Sequence, residues 1–320
     1  MSLALLLLGE VWAKKTEVDW GAALDVQAAA FIPDSGPVQT AAGWQAEGDL
    51  AVYPDSFRLM AELDFGGGIG TLFPATLVYL SPERLSVRVG IKKFWFEGGV
   101  LPPPWGMESV DPWRNALVSW SALRRPGAGA IQGAYGPDGM VPLGSLIGGG
   151  LGIGDQSWGI MGLAGLDLPS GINLIGQPLE DLRGSQLLVG GHAWYQERRV
   201  TVSGGLYAHP IDQTPLTFDL GAQVRPKDFW ITGEGSVSTA GDLGFMLLGE
   251  LLPNGRVSPA LRLELTRAEG PGAALGVTGN IADFFRLKAE VRYAQRTPSL
   301  WAEATLFLPE TGARAAKPGW

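Results

Sequence analysis

Arg286, Lys288, Glu290 and Arg292 occupy alternate positions of one short segment, and Phe285, Leu287, Ala289, Val291 and Tyr293 fill the others. Charges of both signs on a single face can set up a field that orients water and polar solutes, and rings of charge set ion preference. Related sets recur along the chain. Arg84, Arg88 and Lys92 form a basic ladder at a spacing of four, and Glu47, Asp49, Glu62 and Asp64 form an acidic counterpart near Arg58. Arg262 and Glu264 alternate with leucines, and Asp25, Gln27, Gln45, Asp219, Gln223, Arg225, Glu234, Glu250 and Glu303 fall on the same polar parity. The structural alternative is that opposite charges on neighbouring strands tie those strands together, at about 0.2–1 kcal/mol per pair.

Nucleophilic chemistry has one candidate. If Glu197-Arg198 is a two-residue hairpin loop, Gln196 pairs with Arg199 and His192 then faces Ser203. A Ser–His contact begins an acyl-transfer site, but it needs a third group to orient the imidazole and donors for an oxyanion. Nothing at readable spacing supplies them, so no catalytic residue is assigned and the chain is not read as an enzyme. The glycines of 148–154 lack the strand–turn–helix setting and the GK[ST] ending of a phosphate loop.

Composition narrows the remaining classes. The 320 residues include no cysteine, which excludes disulfides and thiolate metal sites, and two histidines leave little room for a metal cluster. No cofactor is implied. Seven lysines and seventeen arginines against 32 acidic residues give a net charge of −8, the wrong balance for a nucleic-acid partner. Glycine (47) and proline (23) are abundant, yet 46% of the residues are hydrophobic, which argues against disorder. The apolar run Leu3–Leu8, followed by Val11-Trp12-Ala13 before Lys14, resembles a signal peptide over residues 1–13, although it lacks a basic start.

Alternation of period two identifies the elements that position these residues. A strand buried on one face reads apolar at every second residue. The rows beginning at Val257, Ala273, Phe285 and Leu300 contain twenty apolar-face positions without a charge. Similar segments fall at 20–32, 40–53, 56–65, 71–80, 84–93, 114–123, 157–168, 186–196, 199–209, 215–225, 228–239 and 243–252. The total is sixteen strands within a range of 14–18, and weaker candidates at 128–135 and 172–180 would make eighteen. An all-β, transmembrane antiparallel β-barrel over residues 14–309, with a C-terminal tail at 310–320, accounts for this pattern. One Arg or Lys facing lipid at the midplane costs roughly 2–4 kcal/mol. A soluble sandwich or lipocalin-like barrel also alternates, but closed soluble barrels usually stop near eight strands.

Connections and aromatics fit the same architecture. Pro54-Asp55, Ser81-Pro82-Glu83, Glu197-Arg198, Pro226-Lys227, Pro253-Asn254-Gly255 and Ala282-Asp283 read as tight turns. Longer connections are expected at 94–113, 210–214 and 294–299, with a second irregular segment at 124–156. A long loop without regular structure is usually functional, and in a barrel it can fold into the lumen. Tyr53, Phe57, Phe65, Tyr195, Phe229, Phe285 and Tyr293 sit near strand ends, where aromatic girdles belong.

Across residues 20–309 the chain resembles a bacterial outer-membrane β-barrel of the general-porin type. The resemblance lies in the alternating strands, the alternation of short and long connections, and a Gly/Pro-rich loop before mid-chain. It matches no family-specific motif and transfers no individual residue. Trp320 ends the chain, as an aromatic residue ends many such barrels, but 311–319 do not alternate. The resemblance implies a passive pore for small hydrophilic solutes and ions, contact with the lipid bilayer and a lipopolysaccharide-type outer leaflet, and a homotrimer. Two other uses of the fold stay open. One is a solute-specific channel, such as a sugar channel, with Trp194, Trp230 and Trp301 as an inward aromatic track. The other is a plugged structural or adhesive barrel.

Overall fold

The computed structural model describes residues 17–53, 58–70, 79–101, 117, 145–155, 157–168, 186–208, 216–239, 241, 243–253, 255–267, 270–282, 284–294 and 296–308. Sixteen antiparallel strands follow one another in chain order. They are β1 Glu17–Phe31, β2 Gln39–Tyr53, β3 Arg58–Gly70, β4 Tyr79–Ile91, β5 Phe94–Leu101, β6 Ser145–Gly154, β7 Trp158–Leu168 and β8 Gln186–Gln196. The rest are β9 Val200–Ala208, β10 Thr217–Val224, β11 Phe229–Ser238, β12 Leu243–Leu251, β13 Val257–Thr266, β14 Gly270–Ala282, β15 Phe285–Ala294 and β16 Thr297–Leu308. Each strand pairs with its sequence neighbours, and β1 closes on β16 through a register running from Ala22↔Leu308 to Phe31↔Ser299. No sheet edge is left open.

The wall is inside-out relative to a soluble protein. Along β13 burial alternates without a break, with Val257, Leu261, Leu263 and Leu265 exposed and Ser258, Arg262, Glu264 and Thr266 buried. At the extremes, Leu151 is 69% exposed and Arg262 is 0% exposed. Leucines, valines and phenylalanines exposed over the described outer face are unfavourable against water but match hydrocarbon. Tyr195, Phe229 and Tyr293 are exposed on that outer face, as expected of girdle residues.

Both described ends of the chain lie at one rim, together with the connections β4–β5, β6–β7, β8–β9, β10–β11, β12–β13 and β14–β15, all of them short. The other rim carries long and short connections alike: 102–144 and 169–185 are long, and β13–β14 and β15–β16 are among the short ones. Two expected connections are corrected. Ser81-Pro82-Glu83 is not a turn but part of β4. Phe65 pairs with Pro82 and Asp64 with Arg84, so the extra residue is a β-bulge, the place in a sheet where proline is tolerated. The segment 294–299 is not a long loop, because Ala294 pairs with Thr297 across a tight turn in which Arg296 adopts φ 63°.

The strand count equals the expected one, but two members differ. Residues 94–101 and 145–154, read as irregular, are β5 and β6. Of 71–80 only Tyr79 and Leu80 are described, and they open β4. Of 114–123 only Leu117 is described, and it is a bend. The weaker candidates 128–135 and 172–180, the leader 1–13 and the tail 310–320 lie outside the described residues.

At the short-turn rim, Asp155 between β6 and β7 accepts hydrogen bonds from the Ser157 hydroxyl (2.6 Å) and backbone N–H (2.9 Å). Lys93, in the β4–β5 turn, reaches the same carboxylate at 3.4 Å and lies 5.4 Å from the Trp158 ring centroid. The Ser157 bonds, with the lysine adding to them, lower the Asp155 pKa from 3.8 to about 2. Bonding that favours the carboxylate contributes stability above the ordinary aspartate value and loses it as pH falls through about 2.

Two outcomes are expected. Ser157→Ala, which keeps the backbone N–H bond and removes the hydroxyl, should move the Asp155 carboxyl titration, read by carbon NMR of the protein in detergent, part of the way up toward 3.8; an unmoved titration would exclude the Ser157 hydroxyl bond as a cause. Val291→Arg should abolish the heat-modifiable folded band on cold gels, whereas Thr278→Ser on the inner face should retain it. Equal tolerance on the two faces would contradict the outward assignment of Val291.

Candidate functional site

Alternation and register bring the charged residues of β13–β16 and β1 together on the inner face. Thr278 lies opposite Lys288, Lys288 opposite Glu303, and Glu303 opposite Gln27. The Lys288 ammonium contacts Glu303 at 2.6 Å, and the Thr305 hydroxyl donates to the same carboxylate oxygen at 3.0 Å. Gln27 donates to the other Glu303 oxygen at 3.3 Å and to Asp25 at 2.6 Å. Deeper along β13, the Arg262 guanidinium pairs with Glu264 and lies 3.9 Å from Glu290. Arg292 reaches over β14 to Glu264 at 3.2 Å. It can do so because the β14 inner positions it crosses are Ala274 and Gly272.

These ions are almost fully buried, with Arg262 at 0% and Glu290 and Arg292 at 3% exposure. A buried charge is tolerated only when partners replace its hydration shell. The net meets much of that requirement by sharing, while Arg292 Nη1 and Asp25 Oδ1 have no hydrogen-bond partner among the described residues. Glu264 serves two arginines, and Glu303 serves a lysine, a threonine and a glutamine. Arg286 stands apart, donating to Asn280 at 3.1 Å with its guanidinium 5.2 Å from the Phe307 ring centroid.

The basic ladder is shorter than expected. Lys92 is exposed in the β4–β5 turn at φ 58° and does not line the wall. The correction follows from β5, since a hairpin at Lys92-Lys93 ends β4 at Ile91. Arg88 does face inward, but it is held by Glu97 of β5 at 2.6 Å, and the Ser86 hydroxyl bonds the other Glu97 oxygen at 3.1 Å. Glu97 was missed because the sequence around it reads as loop. For Glu47, Asp49, Arg58, Glu62, Asp64 and Arg84 only the backbone is described. Register places Glu47 opposite Asp64 and Asp49 opposite Glu62, with Asp64 also opposite Arg84 and Arg58 opposite Gly90. The acidic counterpart is therefore a compact patch on β2–β3 beside the start of the ladder.

The His192–Ser203 pairing is also corrected. Glu197 and Val200 exchange backbone hydrogen bonds, so the turn is Arg198-Arg199 and not Glu197-Arg198. That moves the register by two residues: His192 faces Gly205, and Ser203 faces Trp194. His192 Nδ1 instead lies 3.4 Å from the Tyr207 hydroxyl, and its ring stacks on Trp194 at 5.9 Å.

One residue of the β5–β6 connection is described, and it lies inside the barrel. Leu117, 3% exposed, packs with Ala260 and Ala274 and against Leu248, all inward residues of β12–β14. A Cβ at Gly276 would come within 2.6 Å of it. Strands β12–β14 lie across the barrel from β5 and β6, which places Leu117 against the far inner wall. Leu117 belongs to 114–123, read from the sequence as a strand, and to neither of the segments expected to loop inward, 94–113 and 124–156, of which 94–101 is β5.

No known family model matches the chain, and no curated protein matches it. Among solved structures, OmpF of Salmonella typhi in complex with daunomycin superposes with a TM-score of 0.64 at 9% identity, covering 91% of this chain and 97% of that one. Two variants of the porin of Rh. blastica superpose with TM-scores of 0.60 and 0.59 at 8% identity, each covering 91% of this chain and 100% of the other. The fold is that of a porin. The porin-like barrel takes in the strand wall and its closing seam, and sequence identity this low extends the likeness to the fold alone.

Removing one partner of the central pair is expected to cost more than removing both. Glu303→Gln leaves the Lys288 ammonium buried against a neutral amide and should destabilise by about 3–5 kcal/mol, while Lys288→Met combined with Glu303→Leu should cost less. Unfolding in urea from detergent micelles reads both, and additive losses would mean that the two residues are not coupled.

Proposed function

We propose that this chain is an outer-membrane pore through which small hydrophilic solutes and ions diffuse. The carrying observation is the wall itself: a closed barrel with exposed apolar residues outside and a charged, hydrogen-bonded face inside. A barrel with that polarity suits lipid on its outer surface and polar cargo within. One rim carries both described ends and short connections alone, and the other carries the long connections 102–144 and 169–185, which supports an orientation with the first rim toward the periplasm and the second toward a lipopolysaccharide-type leaflet. Small outward residues on adjoining strands, among them Ala302 and Ala304 of β16, Ala22 and Ala28 of β1 and Ala42 of β2, offer a low surface for contact between copies, in keeping with a homotrimer.

The close packing of the inner wall bears on how much current the pore passes. Inward side chains of β13–β16 are nearly all buried, and Leu117 occupies space against them. A small conductance is expected for a sixteen-stranded barrel.

The test is single-channel recording of the refolded protein in a planar bilayer under a salt gradient. Stable steps with a defined reversal potential are expected, and Leu117→Ala should enlarge the steps without altering the folded band on cold gels. A folded, heat-modifiable protein that passes no current in either form would contradict the pore and favour a plugged barrel.

A further inference from the structure

The outer wall is not evenly covered. Over β10–β12 it holds a groove of about 610 Å³. The floor is β11, where Gly233 and Gly235 take consecutive outward positions between Ile231 and Val237. Register sets the flanks: Gly233 lies between Ala222 and Leu247, and Gly235 between Leu220 and Phe245. Leu220, Phe245 and Leu247 are all exposed, so they stand up as walls, while the neighbouring Glu234 is buried on the lumen side. The groove also opens toward the short-turn rim. Ile231 pairs with Gly249, which places Gly249 diagonally below Gly233, and a Cβ on either glycine would meet nothing within 4 Å.

The rim beneath the groove is basic. Lys227 stands in the turn before β11 and Arg256 in the turn after β12, both exposed. The two turns adjoin, since the Leu252 N–H donates to the Asp228 carbonyl at 2.8 Å. The β8–β9 turn beside them adds the exposed Arg198 and Arg199, and the exposed acids of these turns are Glu197 and Asp228. None of the four cations has an ion-pair partner among the described residues. Gly233 and Gly235 lie four and six residues along β11 from Phe229. At about 3.3 Å per residue and a tilt of about 40°, the groove floor is roughly 10–15 Å from the rim. That depth lies within one leaflet of a hydrocarbon core about 30 Å thick.

A void in a lipid-facing wall forfeits contacts on one side, so an apolar chain that reaches it is favoured to fill it. The charge at the rim decides which chain. Cations at headgroup level, one half-leaflet from an apolar groove, suit a molecule with a phosphate at one end and a hydrocarbon chain at the other. A second copy of this chain fits less well, because β11 lies on the far side of the barrel from the alanine surface of β16, β1 and β2. We propose that the groove binds one acyl chain of an anionic glycerophospholipid whose phosphate lies between Lys227 and Arg256. The inference rests on the membrane placement proposed above and assigns a lipid to this part of the outer wall.

The experiment titrates the full-length protein in detergent with phosphatidylglycerol or phosphatidylcholine and counts bound lipid by native mass spectrometry. Insertion and ion current in a phosphatidylcholine bilayer are recorded from the same preparation. A protein that does not insert contradicts the membrane placement, whereas one that inserts and retains no lipid overturns only this site. Expected is one phosphatidylglycerol held per barrel, saturably and in preference to phosphatidylcholine. Gly233→Leu, which fills the floor from an open outward position, should weaken retention by about tenfold or more. Lys227→Gln combined with Arg256→Gln should lower the preference for phosphatidylglycerol by about tenfold, and it carries the test if Gly233→Leu does not fold. Unchanged binding in either folded variant overturns the proposal, as does equal binding of the two lipids by the wild type. It is also overturned if Gly233→Leu instead separates copies of the chain, the groove then being a contact between protomers.

Discussion

Backbone hydrogen bonding is the constraint on which the rest of this structure depends. Hydrocarbon offers no partner for an amide N–H or a carbonyl, so a strand can cross it only if both of its edges are paired. Here that is achieved by closing β1 onto β16 along a continuous run of paired residues from Ala22↔Leu308 to Phe31↔Ser299. Closure gives every strand one face toward lipid and one toward the lumen. The outer face must then be uncharged over the membrane-crossing band, and all of the chain's charge within that band is forced inward.

Forcing charge inward creates a second problem, which β14 resolves. Ions crowded on adjacent strands need partners, and long side chains can reach them only if something between stays low. Ala274 and Gly272 of β14 leave Arg292 free to meet Glu264 of β13 across the intervening strand. The resulting net stabilises as a unit, since each ion makes the burial of the next tolerable. Ladders of one sign would not do this. The expected basic ladder illustrates the point, because its inward member Arg88 is matched by Glu97 and its outer member Lys92 leaves the wall for a turn.

Legibility in the sequence followed the contrast between the two faces. Strands β7–β16 could be read because apolar and polar residues alternate along most of them, most plainly in β13 and β15. Strands β5 and β6 were read as loops for the opposite reason. The inward positions of β6 are Leu146, Gly148, Gly150, Gly152 and Gly154, which carry no polar signal to set against the outward Ile147 and Leu151. Gly98-Gly99 likewise hid the pairing of β5 with β4 and β6. The lumen-facing parity of the ionic net was therefore readable, whereas the partner of Arg88 was not. Register was harder still. Moving one hairpin turn by a single residue, from Glu197-Arg198 to Arg198-Arg199, left the faces correct and replaced the partner of His192.

The glycines that hid β6 also make room for large rings on the inner wall. Rings as large as Trp95 and Trp194 can lie against a sheet only where the neighbouring strand lacks side chains, and Gly152 and Gly159 supply those places. The same device works on the opposite side at smaller scale. Ala260, Ala274 and Gly276 open a neutral window in the charged net, and Leu117 seats in it. A leucine against a charged wall would ordinarily be unfavourable, since it would strip water from unpaired ions. Here the window itself is lined by Ala260, Ala274 and Gly276 and the adjacent ions are engaged with one another, so the apolar side chain rests on neutral surface. Small residues thus do two jobs in this barrel. They bring charges together across a strand, and they admit bulky apolar groups into a lumen whose closure has driven its charges inward.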